Sequence, residues 1–149
     1  MNASVSNSVD NTNLVLYALL CCTANAKKKV LVLHGGGESA NGIQSQTQDL
    51  LSSLGSNYEF VYGFIATAST PETWWNDPES KSNPTTNRDH AKTMVDKLNT
   101  IISNEGPFDG IMGYSQGAAA VPVYLSQVNK GTFKWAVMFC GYLPTTHSG

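Results

Sequence analysis

The sequence predicts an α/β protein: a mainly parallel sheet with helices on both faces. Three observations carry this. Short runs rich in Val, Leu and Ile alternate with segments of helical periodicity. The first of these runs, "KVLVLHG", is continuously apolar, as a strand buried on both faces must be. Gly-rich turns join strand to helix at "HGGGES" and at "GYSQG".

Each element follows in order. After "KVLVLHG" and its glycines, Ile43, Thr47, Leu50, Leu51 and Leu54 recur at helical spacing, and Gly55 stands where a C-cap falls. "YEFVYGFIA" reads as a second strand. Residues 66–87 are rich in Pro, Ser, Thr and Asn and form a long loop, a kind that is often functional. Ala91, Met94, Val95, Leu98, Ile101 and Ile102 mark one face of an amphipathic helix. "FDGIMGYS" is a third strand, "QGAAAVPVYLSQV" a helix, and "FKWAVMFCGYL" a fourth strand. Pro122 falls inside the last helix, where it removes a backbone donor and should kink it. Cys140 lies in an apolar run and is expected in the core.

Composition narrows the function. The chain has 149 residues, enough for one domain with a sizeable core. Hydrophobic content is 41% against 13% charged, and the net charge is −2, so nothing draws it to nucleic acid or anionic lipid. The one basic run, Lys27-Lys28-Lys29, reads as the solvated start of a buried strand. The three cysteines show neither metal spacing nor a disulfide framework, which favours a reducing, cytoplasmic setting. Residues 1–27 read as an N-terminal extension, disordered or signal-like, ahead of a domain at 28–149. Its "LVLYALLCC" then "TANA" resembles a signal peptide and makes secretion the alternative. Against that alternative, no Lys or Arg precedes the apolar stretch, and Asp10 makes that flank negative; separately, at nine residues the stretch cannot span a bilayer.

Two glycine motifs carry the chemistry. "GYSQG" fits G-x-S-x-G with a strand before it and a helix after it, the context of a nucleophile elbow. Gly113 and Gly117 permit the tight turn, and Ser115 stands at a helix N-terminus, where the dipole favours a developing oxyanion. "HGGGESA" reads two ways. Gly35 to Ala40 fits G-x-G-x-x-A, with Glu59 near the place of a ribose-binding acid, which makes a dinucleotide binder the competing reading. The same residues fit an oxyanion loop whose backbone N–H meets a substrate carbonyl, with the N–H of Gln116 as second donor. The hydrolase reading explains both motifs; the dinucleotide reading explains one. His34 precedes the serine and so reads as structural support for the loop, not as its base. His90 reads as the solvent-facing opening of its helix. Trp74 and Trp75 read either as anchors of the long loop or as a wall of an acyl pocket.

"VLVLHGGGESANG", the loop with "WW", and "GPFDGIMGYSQGAAA" followed by "FKWAVMFCGYLP" together resemble the serine hydrolase FSH family. This is a branch of the α/β-hydrolases that is also similar to ovarian-cancer-associated-gene-2-type proteins. The likeness runs from Lys28 to Pro144 and implies part of an α/β-hydrolase fold, with the C-terminal strands missing. It implies hydrolysis of a small acyl ester by a Ser-Asp-His triad through an acyl-enzyme, without metal or cofactor. Ser115 matches the family's nucleophile, and Gly36 and Gln116 match its oxyanion donors. Trp74 and Trp75 are candidate substrate contacts.

The same comparison raises a difficulty. The fold's order is Ser, then Asp or Glu, then His. Residues 116–149 hold no Asp or Glu, and one histidine, His147, near the end. An earlier acid such as Asp77 or Asp89 has no support in the sequence. The expectation is therefore a chain with a nucleophile and an oxyanion loop but an incomplete triad, with little turnover. The open sheet edge beyond the fourth strand is expected to self-associate. A non-catalytic module binding an acyl group or a dinucleotide is the alternative.

Overall fold

The computed structural model describes residues 26–76 and 89–142. Most of the N-terminal extension, Asp77 and His147 lie outside these residues. Four strands form one sheet: β1 Lys28–Leu33, β2 Tyr58–Gly63, β3 Gly110–Tyr114 and β4 Trp135–Phe139. Three α-helices alternate with them: α1 Ala40–Leu54, α2 Lys92–Glu105 and α3 Gln116–Leu125. Strand order is β2-β1-β3-β4 and every pairing is parallel. Val30 pairs with Gly110 and Leu33 with Gly113, which brings the ends of β1 and β3 level. Both Gly-rich turns leave those ends, on the side where open α/β sheets bind ligands.

The period of two along β1 and β3 sorts the core into two layers. Leu31, Leu33 and Ile111 face α2 and α3, joining Met94, Leu98, Ile101, Ala119, Val121 and Tyr124. Val30, Val32 and Met112 face the other way, toward Ile43 of α1. These layers account for the continuous apolar run of "KVLVL", since both faces of β1 are covered. α1 starts on a Ser39 cap, whose Oγ accepts the Gly42 N–H at 3.1 Å, and ends at Gly55 with φ 73°.

One expectation needs correction, and one helix is less covered than the other two. Cys140 is exposed, a free thiol just beyond β4 with φ 52°, and is not a core residue. The helix of Leu50 and Leu54 is only partly covered: Ala40 and Ile43 are its buried residues, while Leu50 and Leu54 are exposed. The cause is shared. Among the described residues, two helices cover one face of the sheet and α1 alone packs on the other. Apolar hollows of about 340 Å³ and 310 Å³ therefore run beside α1, both lined by Leu50, Met112 and Phe139. Among the described residues β4 has a neighbour on one side alone, and Val137, Met138 and Phe139 are exposed. Pro122 sits within α3 on its exposed side.

Asp109 fastens the strand starts together. Its Oδ2 accepts the main-chain N–H of Lys29 at 3.0 Å, and its Oδ1 meets Lys134 Nζ at 2.6 Å. Its own N–H and C=O bond Lys29 and Lys134 at 2.8 Å each. The bond from Lys134 and that from the Lys29 N–H hold its carboxyl below the ordinary carboxylate value.

Candidate active site

The turn from β3 to α3 forces Ser115 into an uncommon backbone. Its φ is 51° and ψ −116°, at the N-cap position of α3. A non-glycine residue adopts this only under constraint. The constraint is visible on both sides. A Cβ on Gly113 would lie 2.4 Å from the Gly117 carbonyl oxygen. A Cβ on Gly117 would lie 2.5 Å from the carbonyl oxygens of Leu33 and His34. Backbone touches backbone at both positions, so only glycine fits. The Ser115 N–H is held by Phe139 O at 3.0 Å.

The glycine loop after β1 lies against this turn. A Cβ on Gly35 would be 3.3 Å from Ser115 Cβ, and one on Gly36 would be 3.2 Å from Gln116 Oε1. The loop's N–H groups are not equivalent. Gly35 N–H donates to Glu38 Oε2 at 3.0 Å, and Gly37 N–H, at φ 76°, donates to Glu72 O at 2.8 Å. Between them, Gly36 is exposed, and among the described residues its N–H has no acceptor. Gln116 is the first residue of α3, in the turn whose N–H groups point out of the helix start. Ser115, Gly36 and Gln116 thus meet at one corner of the sheet.

Trp74 and Trp75 come to the same corner from below. They are 2% and 4% exposed, packed in the larger core cluster. Trp74 Nε1 donates to His34 O at 2.8 Å, and its ring stacks on the His34 imidazole with centroids 4.7 Å apart. The Trp74 N–H donates to Gln116 Oε1 at 2.8 Å, and Gln116 Nε2 donates to Trp75 O at 2.9 Å. These contacts are those of an anchor of the long loop.

His34 is fully buried. Its Nδ1 donates to Gly35 O at 2.8 Å, and its Nε2, without a hydrogen bond, lies 3.7 Å from Glu72 Oε1. The sequence did not single out Glu72, yet it joins three segments. Its main chain pairs with Glu38, its carboxylate accepts N–H bonds from Ile65 and Ala66, and it faces His34. The one signal was an acid placed just before the Trp pair in "PETWW". His90 is half-buried just ahead of α2, its Nε2 2.5 Å from Asn76 O. Among the described residues no side chain bonds the Ser115 hydroxyl. Nor, among them, do three His, Cys, Asp or Glu side chains gather as metal ligands. No described helix is long and apolar enough to cross a membrane.

Known proteins similar to this chain carry hydrolase and esterase names. A family profile described as "Serine hydrolase (FSH1)" matches residues 23–148. "Esterase FPY3" of Fusarium mangiferae is 31% identical over 127 residues, covering 78% of this chain and 58% of that protein. "Esterase FUS5" of Gibberella moniliformis is 29% identical over 136 residues, covering 79% of this chain and 58% of that protein. "Esterase C25G4.2" of Caenorhabditis elegans is 27% identical over 141 residues, covering 81% and 62% respectively. The chain spans about three fifths of the length of these relatives.

Proposed function

The chain belongs to the serine hydrolase (FSH1) family, and on that footing we propose that it is the nucleophile-bearing part of a hydrolase of carboxylic esters. Ser115 Oγ attacks the acyl carbonyl, the alcohol leaves, and water then releases the acid from the acyl-enzyme. The oxyanion of each tetrahedral intermediate is received by the main-chain N–H groups of Gly36 and Gln116. The reading brings an acyl ester as substrate and needs neither metal nor cofactor.

One observation carries it: the strained Ser115 at the helix start lies against a glycine loop whose middle residue, Gly36, is exposed and, among the described residues, leaves its N–H without an acceptor. The dinucleotide alternative is weakened by the same loop. The Glu38 carboxylate occupies the Gly35 N–H and the Glu72 carbonyl occupies that of Gly37. A pyrophosphate at this turn would meet a fixed negative charge where it needs donors.

Serine needs a base within hydrogen-bond reach. His34 turns its ring nitrogens toward Gly35 and Glu72, and His90 turns Nε2 toward Asn76. Neither serves Ser115 in this arrangement, and with no side chain bonded to its hydroxyl among the described residues, slow turnover is proposed. A fluorophosphonate probe is the test. Labelling of Ser115 that is lost in Ser115→Ala supports the reading. Absence of labelling at saturating probe, in folded protein, overturns it.

A further inference from the structure

The side chain of Gln116 is a candidate for a role separate from that of its main chain. It is 4% exposed, at a helix start where side chains usually meet water. Burying an amide is costly unless its donor and acceptor are both matched. Here they are. The oxygen accepts the Trp74 N–H, and the nitrogen donates to the Trp75 carbonyl, at 2.8 and 2.9 Å. The two main-chain partners fix which end of the amide is which.

The amide therefore spans a sequence distance of about forty residues, from the elbow to the Trp segment. The Trp segment is in turn fixed to the glycine loop. Trp74 bonds and stacks on His34, and Glu72, two residues before it, pairs with Gly37 and Glu38. Gly36 lies against the Gln116 amide itself. The path closes a ring: contacts run from Gln116 to Trp74 to His34, the backbone runs from His34 through Gly35 to Gly36, and Gly36 lies back against Gln116. Both oxyanion donors lie on that ring.

We infer that the Gln116 carboxamide is a positioning residue: by latching the Trp74–Trp75 segment to the elbow, it sets the Gly36 and Gln116 N–H groups relative to Ser115. The inference rests on the ester-hydrolase reading. Oxyanion donors act at hydrogen-bond distance from the developing charge, and a displacement of about 1 Å costs roughly a hundredfold in rate. Loss of the latch acts on the bond-making step more than on probe binding.

Gln116→Met keeps the length of the side chain and removes both bonds. Gln116→Glu keeps the acceptor for Trp74 N–H and loses the donor to Trp75. Two readouts apply to the chain and both variants: the fluorophosphonate labelling rate of Ser115 as a function of probe concentration, and hydrogen exchange at the Trp74 amide. Gln116→Met is expected to lower the maximal labelling rate by about 10- to 100-fold. The probe concentration for half-maximal rate stays unchanged, and Trp74 exchange accelerates. Gln116→Glu falls between it and the parent in both readouts, and serves alone if the Met variant does not fold. Unchanged Trp74 exchange overturns the latch. Faster exchange with an unchanged labelling rate leaves a loop anchor and overturns the positioning role. A parent chain that is never labelled removes the hydrolase reading and the positioning role with it, while exchange at Trp74 still reports whether the amide holds the loop.

Discussion

The main-chain N–H of Ser115 donates to the carbonyl oxygen of Phe139 across 3.0 Å. The candidate nucleophile is thus hung from the last residue of the edge strand. Its backbone is set by β4 on one side and by two glycines on the other, and four predictions test how these parts depend on one another.

The strain at Ser115 is separable from its chemistry. At φ 51° the residue stands where glycine is at ease and serine is not. Relief of about 1–3 kcal/mol, less about 0.4–1 kcal/mol of added unfolded-chain entropy, leaves a net gain for glycine. Ser115→Gly is therefore expected to be more stable than Ser115→Ala by about 1 kcal/mol in urea unfolding. Equal midpoints would contradict a strained elbow.

Gly117 and Gly37 should respond differently to alanine. A methyl at 117 meets two carbonyl oxygens of the β1 exit at 2.5 Å, and backbone has no room to give. Gly117→Ala is expected to cost about 3 kcal/mol or more, or to prevent folding. Gly37 faces open space, so its alanine pays only for φ 76°, about 1–2 kcal/mol. Thermal midpoints of the two variants rank them, and the reverse order would refute the packing argument.

Acid should loosen the strand starts through Asp109. Its folded pKa lies below the ordinary value of 3.8, so its bonds to Lys134 and the Lys29 N–H contribute fully above that pH. The contribution falls away as pH drops from about 3.8 through the lower folded value. Asp109→Asn is expected to melt below the parent at pH 6, with the gap narrowing toward pH 3. A gap independent of pH would assign the effect to packing instead.

The β4 edge carries Val137, Met138 and Phe139 exposed, with no charge or proline in Trp135–Phe139 to discourage pairing. Association of the chain through this edge is expected. Met138→Lys, at the most exposed of the three, should shift sedimentation toward monomer without lowering the thermal midpoint. Unchanged association would move the contact elsewhere on the surface.

Much of this architecture was readable because it is local. The buried strand "VLVL", the Gly55 cap and the glycines flanking Ser115 each obey a rule that spans a few residues. What escaped is non-local. Periodicity marked Leu50 and Leu54 as apolar but is silent on what covers them, and the face they join carries a single helix among the described residues. Cys140 shares the apolar run of β4 yet lies past its end, where the chain turns at φ 52°. The placement of Trp74 is decided by partners 40 and 42 residues away, His34 and Gln116. A lone glutamine opening the otherwise apolar "QGAAAV" was the available clue, since a polar side chain there must be matched or solvated.

The backbone contact between Gly113 and Gly117 also bears on how this region drifts over evolutionary time. Any lineage that keeps the turn must keep both glycines, whether or not it keeps the reaction. A descendant that had abandoned catalysis would go on being spelled like an enzyme at these two letters. Ser115 would be the position released to change, and its positive φ biases that change toward glycine.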